Sequence, residues 1–579
     1  MTDTDNFQLN LSSAELQKRT HKDYLITKNL LAADAPEYLA LAEGDKQALK
    51  HLVKASYILE RINMQLDNPH NLAFKEYLAK EIAKGNQDAI MTKILFDGQK
   101  GINSIDAMSD KINLAKGHGD LAGKGVYPED LTKAEFHQIL STMLQAGKDE
   151  AVKKILSQRS VVERNGRELI GIDYIDKFKE DFSAIADELT KAAETSTDAD
   201  FNEYLELQAK ALRTADAMLD AYADKKWASL QDTPLEFTLV RENYDEEMTA
   251  TIAENKELSE LLAKRGISAI PKDFLGGRVG IVNRKGTEAL LAIKKYLPLL
   301  AQNMPYHDEY PQTVSSEDDN KQTMVDVDLI ALTGNAGEYR GSITLAENLP
   351  NDDKLSLQIG GGRRNVYHRQ IRFISDKAKL QERLDAVLTK EQHQYYLDEA
   401  DHWFTIGHEN AHSLGPAKGS ETLGKYANII EENKADMAAL AFVDLLTELG
   451  MYTPLQRKQI IVTMITDNFT KSKPVISQAH RVRNVMQNKY FAEHGAYEIT
   501  PEGTIQVNIA KVVPAAKAML AEIIRVQIDG DFTKAEKYVT DNFVWTKDME
   551  LIAQKLQKVS KTLNGTTNSP LAQKLLCEE

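Results

Sequence analysis

Sulfur chemistry is almost absent from this chain. Its single cysteine, Cys577, lies near the C-terminal end of 579 residues, so no intrachain disulfide and no cysteine-rich metal site can form. That usage suits a reducing compartment. Long apolar runs are missing too: stretches such as Ala438–Val443 and Ile460–Ile465 fall far short of the roughly 20 residues a membrane span needs. The first residues, Met1-Thr-Asp-Thr-Asp-Asn-Phe-Gln, contain neither the basic nor the apolar region of a secretory signal. Positive charge is in deficit. Against 87 Asp+Glu stand 71 Lys+Arg, a net charge of −16, and no basic patch offers a footing for nucleic acid. The expectation is a soluble cytoplasmic protein with neither nucleic-acid nor membrane partners. With 42% apolar and 27% charged residues, it has the balance of an ordinary globular chain large enough for several cores or two large lobes.

From about residue 12 to residue 230 the pattern is helical. Ser12-x-x-Glu15 and Thr132-x-x-Glu135 read as capping boxes, and Leu49, Leu52, Val53, Ser56, Tyr57 and Leu59 make one apolar stripe. The glycine-rich segment 116–125 reads as a connector. Between about residues 234 and 375 the texture turns to strands. The candidates are Phe237-Thr-Leu-Val, Arg278-Val-Gly-Ile-Val, Val325-Asp-Val-Asp-Leu-Ile and Gln370-Ile-Arg-Phe-Ile, with Gly276-Gly277, Gly334-Asn335 and Gly360-Gly361-Gly362 as turn residues between them. Beyond residue 378 the helical period returns. We therefore expect a mainly helical region over 1–230, a β-containing region over 231–376 and a helical region over 377–579.

One motif dominates the chemistry: His408-Glu409-Asn410-Ala411-His412. On a helix, positions i and i+4 share a face, so both imidazoles can converge on one zinc ion. Glu409 is then placed to take a proton from water at that site. A catalytic zinc takes a third protein ligand, and Glu431-Glu432-Asn433-Lys434-Ala435-Asp436 follows shortly downstream. Successive helical residues point about 100° apart, so one of the two glutamates faces the metal. Glu432, Ala435, Asp436 and Ala439 share a face, and the two alanines permit a close helix crossing. Glu432 is thus the expected third ligand, with Glu431 beside it and Asp436 orienting a ligand histidine from behind.

His408–His412 followed by Ser-Leu-Gly-Pro, together with Glu431-Glu432-x-Lys-Ala-Asp, resembles the dipeptidyl-peptidase III family of zinc exopeptidases. The likeness is to its shorter bacterial members and to the peptidase-like region of some plant Nudix hydrolases. Many family members have an extra residue between the histidines; this chain has the five-residue form. Glu242-Asn-Tyr244 looks like the element whose carboxylate and phenol hold the peptide's free amino end. Asn348-Leu-Pro-Asn351 is similar to the element whose asparagines grip the substrate backbone. Ser477-Gln-Ala-His480 resembles the segment bearing a histidine that stabilises the transition state. His494 is a competitor for that role, and Arg483 sits one residue short of a family arginine near the substrate's carboxyl end.

The resemblance implies an α+β, predominantly helical protein of two lobes around a wide cleft: a helical zinc-bearing lobe and a mixed lobe with a β-barrel-like core. It implies one zinc ion per chain, short peptide substrates and release of N-terminal dipeptides. The alternatives are a weakly active or non-catalytic zinc-containing peptide-binding protein, and an aminopeptidase or endopeptidase of the same fold.

Overall fold

The computed structural model describes residues 7–214, 216–243, 246–312, 323–334, 345–349, 358–369 and 377–578. Its longest helix, α1 (Glu43–Asp67), carries the expected stripe: Leu49, Leu52, Val53, Ser56 and Leu59 are all fully buried. Ser12 and Thr132 cap their helices, accepting from the backbone N–H groups of Glu15 and Glu135, but the two glutamates expected to complete the capping boxes accept from Arg19 and Arg164 instead. Within the helical first third lie short β elements the periodicity did not signal, including the hairpin Ser160–Asn165 with Glu168–Asp173. Among the described residues, no helix is long and apolar enough to cross a membrane.

Five strands form the central sheet: β1 (Leu235–Glu242), β2 (Phe274–Val282), β3 (Thr323–Thr333), β4 (Ala346–Leu349) and β5 (Arg364–His368), in the order β1-β2-β3-β5-β4. Only the β3–β5 pair is parallel. Three expected strands fall inside β1, β2 and β3; the fourth, 370–374, lies outside the described residues, and β5 just before it went unread. Gly276 and Gly277 are not turn residues. They lie within β2, where a Cβ on Gly277 would sit 2.7 Å from the Ser56 Cβ, so the missing side chain is what lets α1 lie close against the sheet.

Alternation along these strands serves two cores. Val325, Val327, Leu329, Val366 and Leu349 join α1 and the N-terminal helices in one hydrophobic cluster. Met324, Ala346 and Tyr367, on the opposite face, join the helices that follow residue 377 in another. The chain is 59% helical, and the sheet curls into a half-barrel, giving the two-lobed α+β architecture. Curling is visible in one ion pair. In a flat sheet β2 and β4 would stand three spacings, roughly 14 Å, apart, yet Arg278 Nε of β2 donates to Glu347 Oε1 of β4 at 2.9 Å. The C-terminal residues return to the first lobe: Asn564–Asn568 pairs in parallel with Leu25–Asn29, and Leu571 and Leu575 pack into the first core.

Candidate metal centre and active site

Four helices of the second lobe build the centre: α2 (Asp398–Ala411), α3 (Ala427–Ala441), α4 (Ala479–Glu493) and α5 (Ile509–Asp529). α2 and α3 cross where small residues permit it. A Cβ on Gly407 would lie 3.2 Å from the Ala439 Cβ, so the crossing is as tight as the alanine-lined face suggests. His408 and Glu409 are on α2, His412 is its C-cap, and the second motif lies one turn inside α3, where every residue from Ile429 to Ala441 is buried.

The two imidazoles face one another, with His408 Nε2 and His412 Nε2 3.2 Å apart. Behind them, His408 Nδ1 is 2.8 Å from Asp436 Oδ1 and His412 Nδ1 is 2.9 Å from Glu431 Oε1. A carboxylate accepts only, so this network assigns the proton of each ring to Nδ1. Two Nε2 lone pairs are then left pointing at one another across 3.2 Å, an arrangement that a cation between them stabilises. Two nitrogens bound at about 2.0–2.1 Å on a tetrahedral zinc would be about 3.3 Å apart. Glu432 closes the set, with Oε2 3.4 Å from His408 Nε2 and Oε1 4.0 Å from His412 Nε2. These three residues offer ligand atoms that all lie within 4.8 Å of one another, and the donor set fits zinc.

The supporting residues come from α3, α4 and α5. Asp436 accepts on Oδ1 from Arg483 Nη1 at 2.8 Å and on Oδ2 from Gln487 Nε2 at 2.9 Å, both from α4. Glu431 is held by Lys434 Nζ at 2.8 Å and by Gln527 Nε2 of α5 at 2.9 Å. His480 Nε2 lies 3.1 Å from Glu432 Oε2. Burial works against charge on Glu432, but His480, with the other two histidines close by, outweighs it and holds its carboxyl well below the usual range. Burial also lowers the His408 pKa, yet Asp436 and Glu432 overcome that and raise it to about 10; a field that favours an imidazolium also favours a bound cation. Glu409, buried beside both histidines, moves the other way: desolvation pushes its carboxyl upward despite them. That direction suits a proton acceptor.

The expected substrate-binding residues separate into those the structure places and those it does not describe. Asn348 is buried on the face of β4 toward the zinc-motif helix, donating to Ser413 Oγ at 3.3 Å. The same side chain also donates to Asn365 Oδ1 and accepts from Arg363 Nε, so it is already engaged on three sides. Glu242 ends β1, 3.9 Å from Arg278 Nη2, and therefore faces the same guanidinium as Glu347. Tyr244 and Asn351 lie outside the described residues. His494 is away from the cluster, capping α4 and stacked on Tyr490.

Sequence reasoning left Gln487, Gln527, Ser413, Arg363 and Asn365 unread. Only Gln487 gave a signal: with His480 and Arg483 it follows i, i+3, i+7 on α4.

No protein-family model matches the chain. In sequence it is similar to Nudix hydrolase 3 of Arabidopsis thaliana, 22% identical over 594 residues that cover 93% of this chain and 72% of that protein. Its structure is similar to that of dipeptidyl-peptidase III from Corallococcus sp. strain EGB, with TM-score 0.80 and 18% identity over 98% of this chain and 99% of the other. It is similar also to DPP III from Caldithrix abyssi, with TM-score 0.72 and 21% identity over 97% and 100% of the two chains.

Proposed function

We propose that this chain, which has the fold of the dipeptidyl-peptidase III proteins, is a zinc-dependent exopeptidase that releases dipeptides from the amino end of short peptides. The carrying observation is the pair of Nε2 atoms 3.2 Å apart, each ring anchored through Nδ1 to a carboxylate, with Glu432 alongside and Glu409 buried next to them. A purely structural site has no use for that glutamate.

Zinc held by His408, His412 and Glu432 would supply Lewis acidity to activate water and polarise the scissile carbonyl. Glu409 takes the proton of the attacking water and passes it to the departing amine; the upward shift that burial gives its carboxyl makes it a stronger proton acceptor than an exposed glutamate. His480 donates an N–H to the oxygen on which negative charge develops. Asp436 and Glu431 keep the ligand rings in the required tautomer.

Selection of the second peptide bond requires an anchor two residues away, roughly 7 Å along an extended chain. Glu242 and Tyr244 bind the free ammonium, and Asn348 and Asn351 hold the backbone in the manner of an added strand. In the present arrangement both Asn348 N–H groups are engaged, by Asn365 and Ser413, and Oδ1 accepts from Arg363, so a peptide N–H can be gripped by the second Oδ1 lone pair, whereas a peptide carbonyl must displace Asn365 or Ser413.

The test is purified protein loaded with one equivalent of zinc and assayed on a short unstructured peptide, beside Glu409→Ala. Hydrolysis that follows zinc content and vanishes in Glu409→Ala supports the proposal. Hydrolysis undiminished in that variant overturns it.

A further inference from the structure

His480 sits on the first turn of α4. Further along that helix its own lobe steadies it, because Arg483 Nη1 and Gln487 Nε2 both donate to Asp436 of α3. The residues on either side of His480 are held differently. Gln478, the N-cap of α4, and Arg481, the next residue along, both reach across to Ser109 of the first lobe.

Ser109 lies at the tip of a hairpin formed by Asn103–Ile105 and Lys111–Asn113. Ile102 and Ile112 share a hydrophobic cluster with Met64 of α1, which makes the hairpin part of the first lobe. Its tip is stiffly built around the buried Asp106. Asp106 Oδ1 accepts from the backbone N–H groups of Met108 and Asp110 at 2.8 and 2.9 Å, and Oδ2 accepts from Arg19 Nη1 at 2.8 Å. The turn drives Ser109 to a φ of 63°, a left-handed conformation that glycine or asparagine holds at less cost. A serine in that conformation points to a use for its hydroxyl.

The hydroxyl has one proton to donate and two lone pairs, and all three serve contacts with the second lobe. It donates to Gln478 Oε1 at 3.2 Å, and the Val475 N–H, 3.0 Å from the same oxygen, fixes which way that amide faces. It accepts from Arg481 Nη1 at 3.1 Å and from Ser472 Oγ at 3.2 Å. Beside it the Ala107 carbonyl accepts from Arg481 Nη2 at 3.4 Å. One turn in the first lobe thus grips the start of α4 both before and after His480.

We propose that Ser109 is a positioning residue for His480. Through Gln478 and Arg481, the lobe that carries Glu242 and Asn348 sets where the imidazole of the other lobe points, so a peptide held by the first lobe meets an oxyanion donor aligned by that same lobe. The proposal rests on the peptidase reading for what His480 does, and on the hydrogen bonds alone for the contact itself.

Zinc-loaded native protein, Ser109→Gly, His480→Ala and the double variant are compared on one short unstructured peptide, and circular dichroism checks each fold. Glycine holds a φ of 63° without strain, so Ser109→Gly removes the hydroxyl and little else. Its kcat should fall about tenfold at nearly unchanged KM, since a misaligned donor weakens the transition state and not the binding of substrate. On the His480→Ala background the same substitution should cost nothing further. Undiminished kcat in Ser109→Gly overturns the proposal, as does an equal loss on both backgrounds, which would mean that the hydroxyl acts on something other than His480. Amide hydrogen exchange over residues 481–485 needs no turnover, and Ser109→Gly should speed it about tenfold by releasing two hydrogen bonds at the helix start. If native protein cleaves no peptide, the peptidase reading falls and exchange alone decides. Faster exchange then supports the grip of Ser109 on α4, and unchanged exchange overturns that as well.

Discussion

Replacing Asp436 by asparagine tests the reasoning about the metal centre most severely, because it changes the side chain by one atom type and leaves every ligand in place. Asp436 is fully buried and accepts on both oxygens: His408 Nδ1 and Arg483 Nη1 reach Oδ1 at 2.8 Å, and Gln487 Nε2 reaches Oδ2 at 2.9 Å. An asparagine can keep its oxygen toward His408 and Arg483, but its NH2 then meets the Gln487 NH2. Gln487 cannot simply turn over, since its Nε2 also donates to Asn433 Oδ1 and its Oε1 accepts from Asn468 Nδ2. One buried charge-assisted hydrogen bond is lost and a donor is stranded, a cost of about 1.5–3 kcal/mol. That cost falls mainly on the orientation and basicity of His408, so zinc affinity should drop about 10–100-fold. Competition with a chromophoric chelator reads the affinity, and circular dichroism confirms that the variant folds. Adding Gln487→Glu restores an acceptor opposite the new NH2 and should recover part of the loss. Unchanged zinc affinity in Asp436→Asn would refute the claim that this carboxylate tunes the ligand histidine.

Glu409→Gln should retain zinc at one equivalent while losing about 10²–10⁴-fold in turnover, measured by metal analysis and peptide hydrolysis on the same sample. Burial and the nearby charges of Asp467, Asp398 and Asp436, offset in part by Arg483, raise Asp401 to about 7. A carboxyl raised on folding favours the folded state most below its ordinary pKa near 4, and that contribution is lost as pH climbs to 7. Asp401→Asn should therefore raise the Tm at pH 8 and leave it nearly unchanged at pH 4; an equal gain at both would contradict the assignment. Gly277→Ala would place a Cβ 2.7 Å from that of Ser56 in the first core, so we expect a loss of about 1–3 kcal/mol in urea denaturation. No loss would show that α1 can retreat from the sheet.

The clustering of His408, His412 and Glu432 was legible because both histidines sit on one helical turn, and the face shared by Glu432, Ala435, Asp436 and Ala439 follows from helical spacing alone. The tight crossing at Gly407 and Ala439 is the physical counterpart of that pattern. The middle strands were legible from β-branched runs. What escaped was whatever depends on contacts between distant segments. Gln527 reaches Glu431 across 96 positions, and nothing about a glutamine in an amphipathic helix announces such a partner. The Asn348–Ser413 bond likewise exists only because the sheet edge lies against the zinc-motif helix. Gly276 and Gly277 misled because glycine marks both turns and close packing, and only the position of Ser56 decides between them.

The central claim, cleavage of the second peptide bond from an anchored amino end, is tested most directly by mass spectrometry of the products from one hexapeptide with a free or an acetylated amino terminus. The account predicts successive loss of dipeptides from the free form alone. Equal cleavage of both forms, or release of single residues, would contradict it and remove the roles proposed for Glu242 and Tyr244.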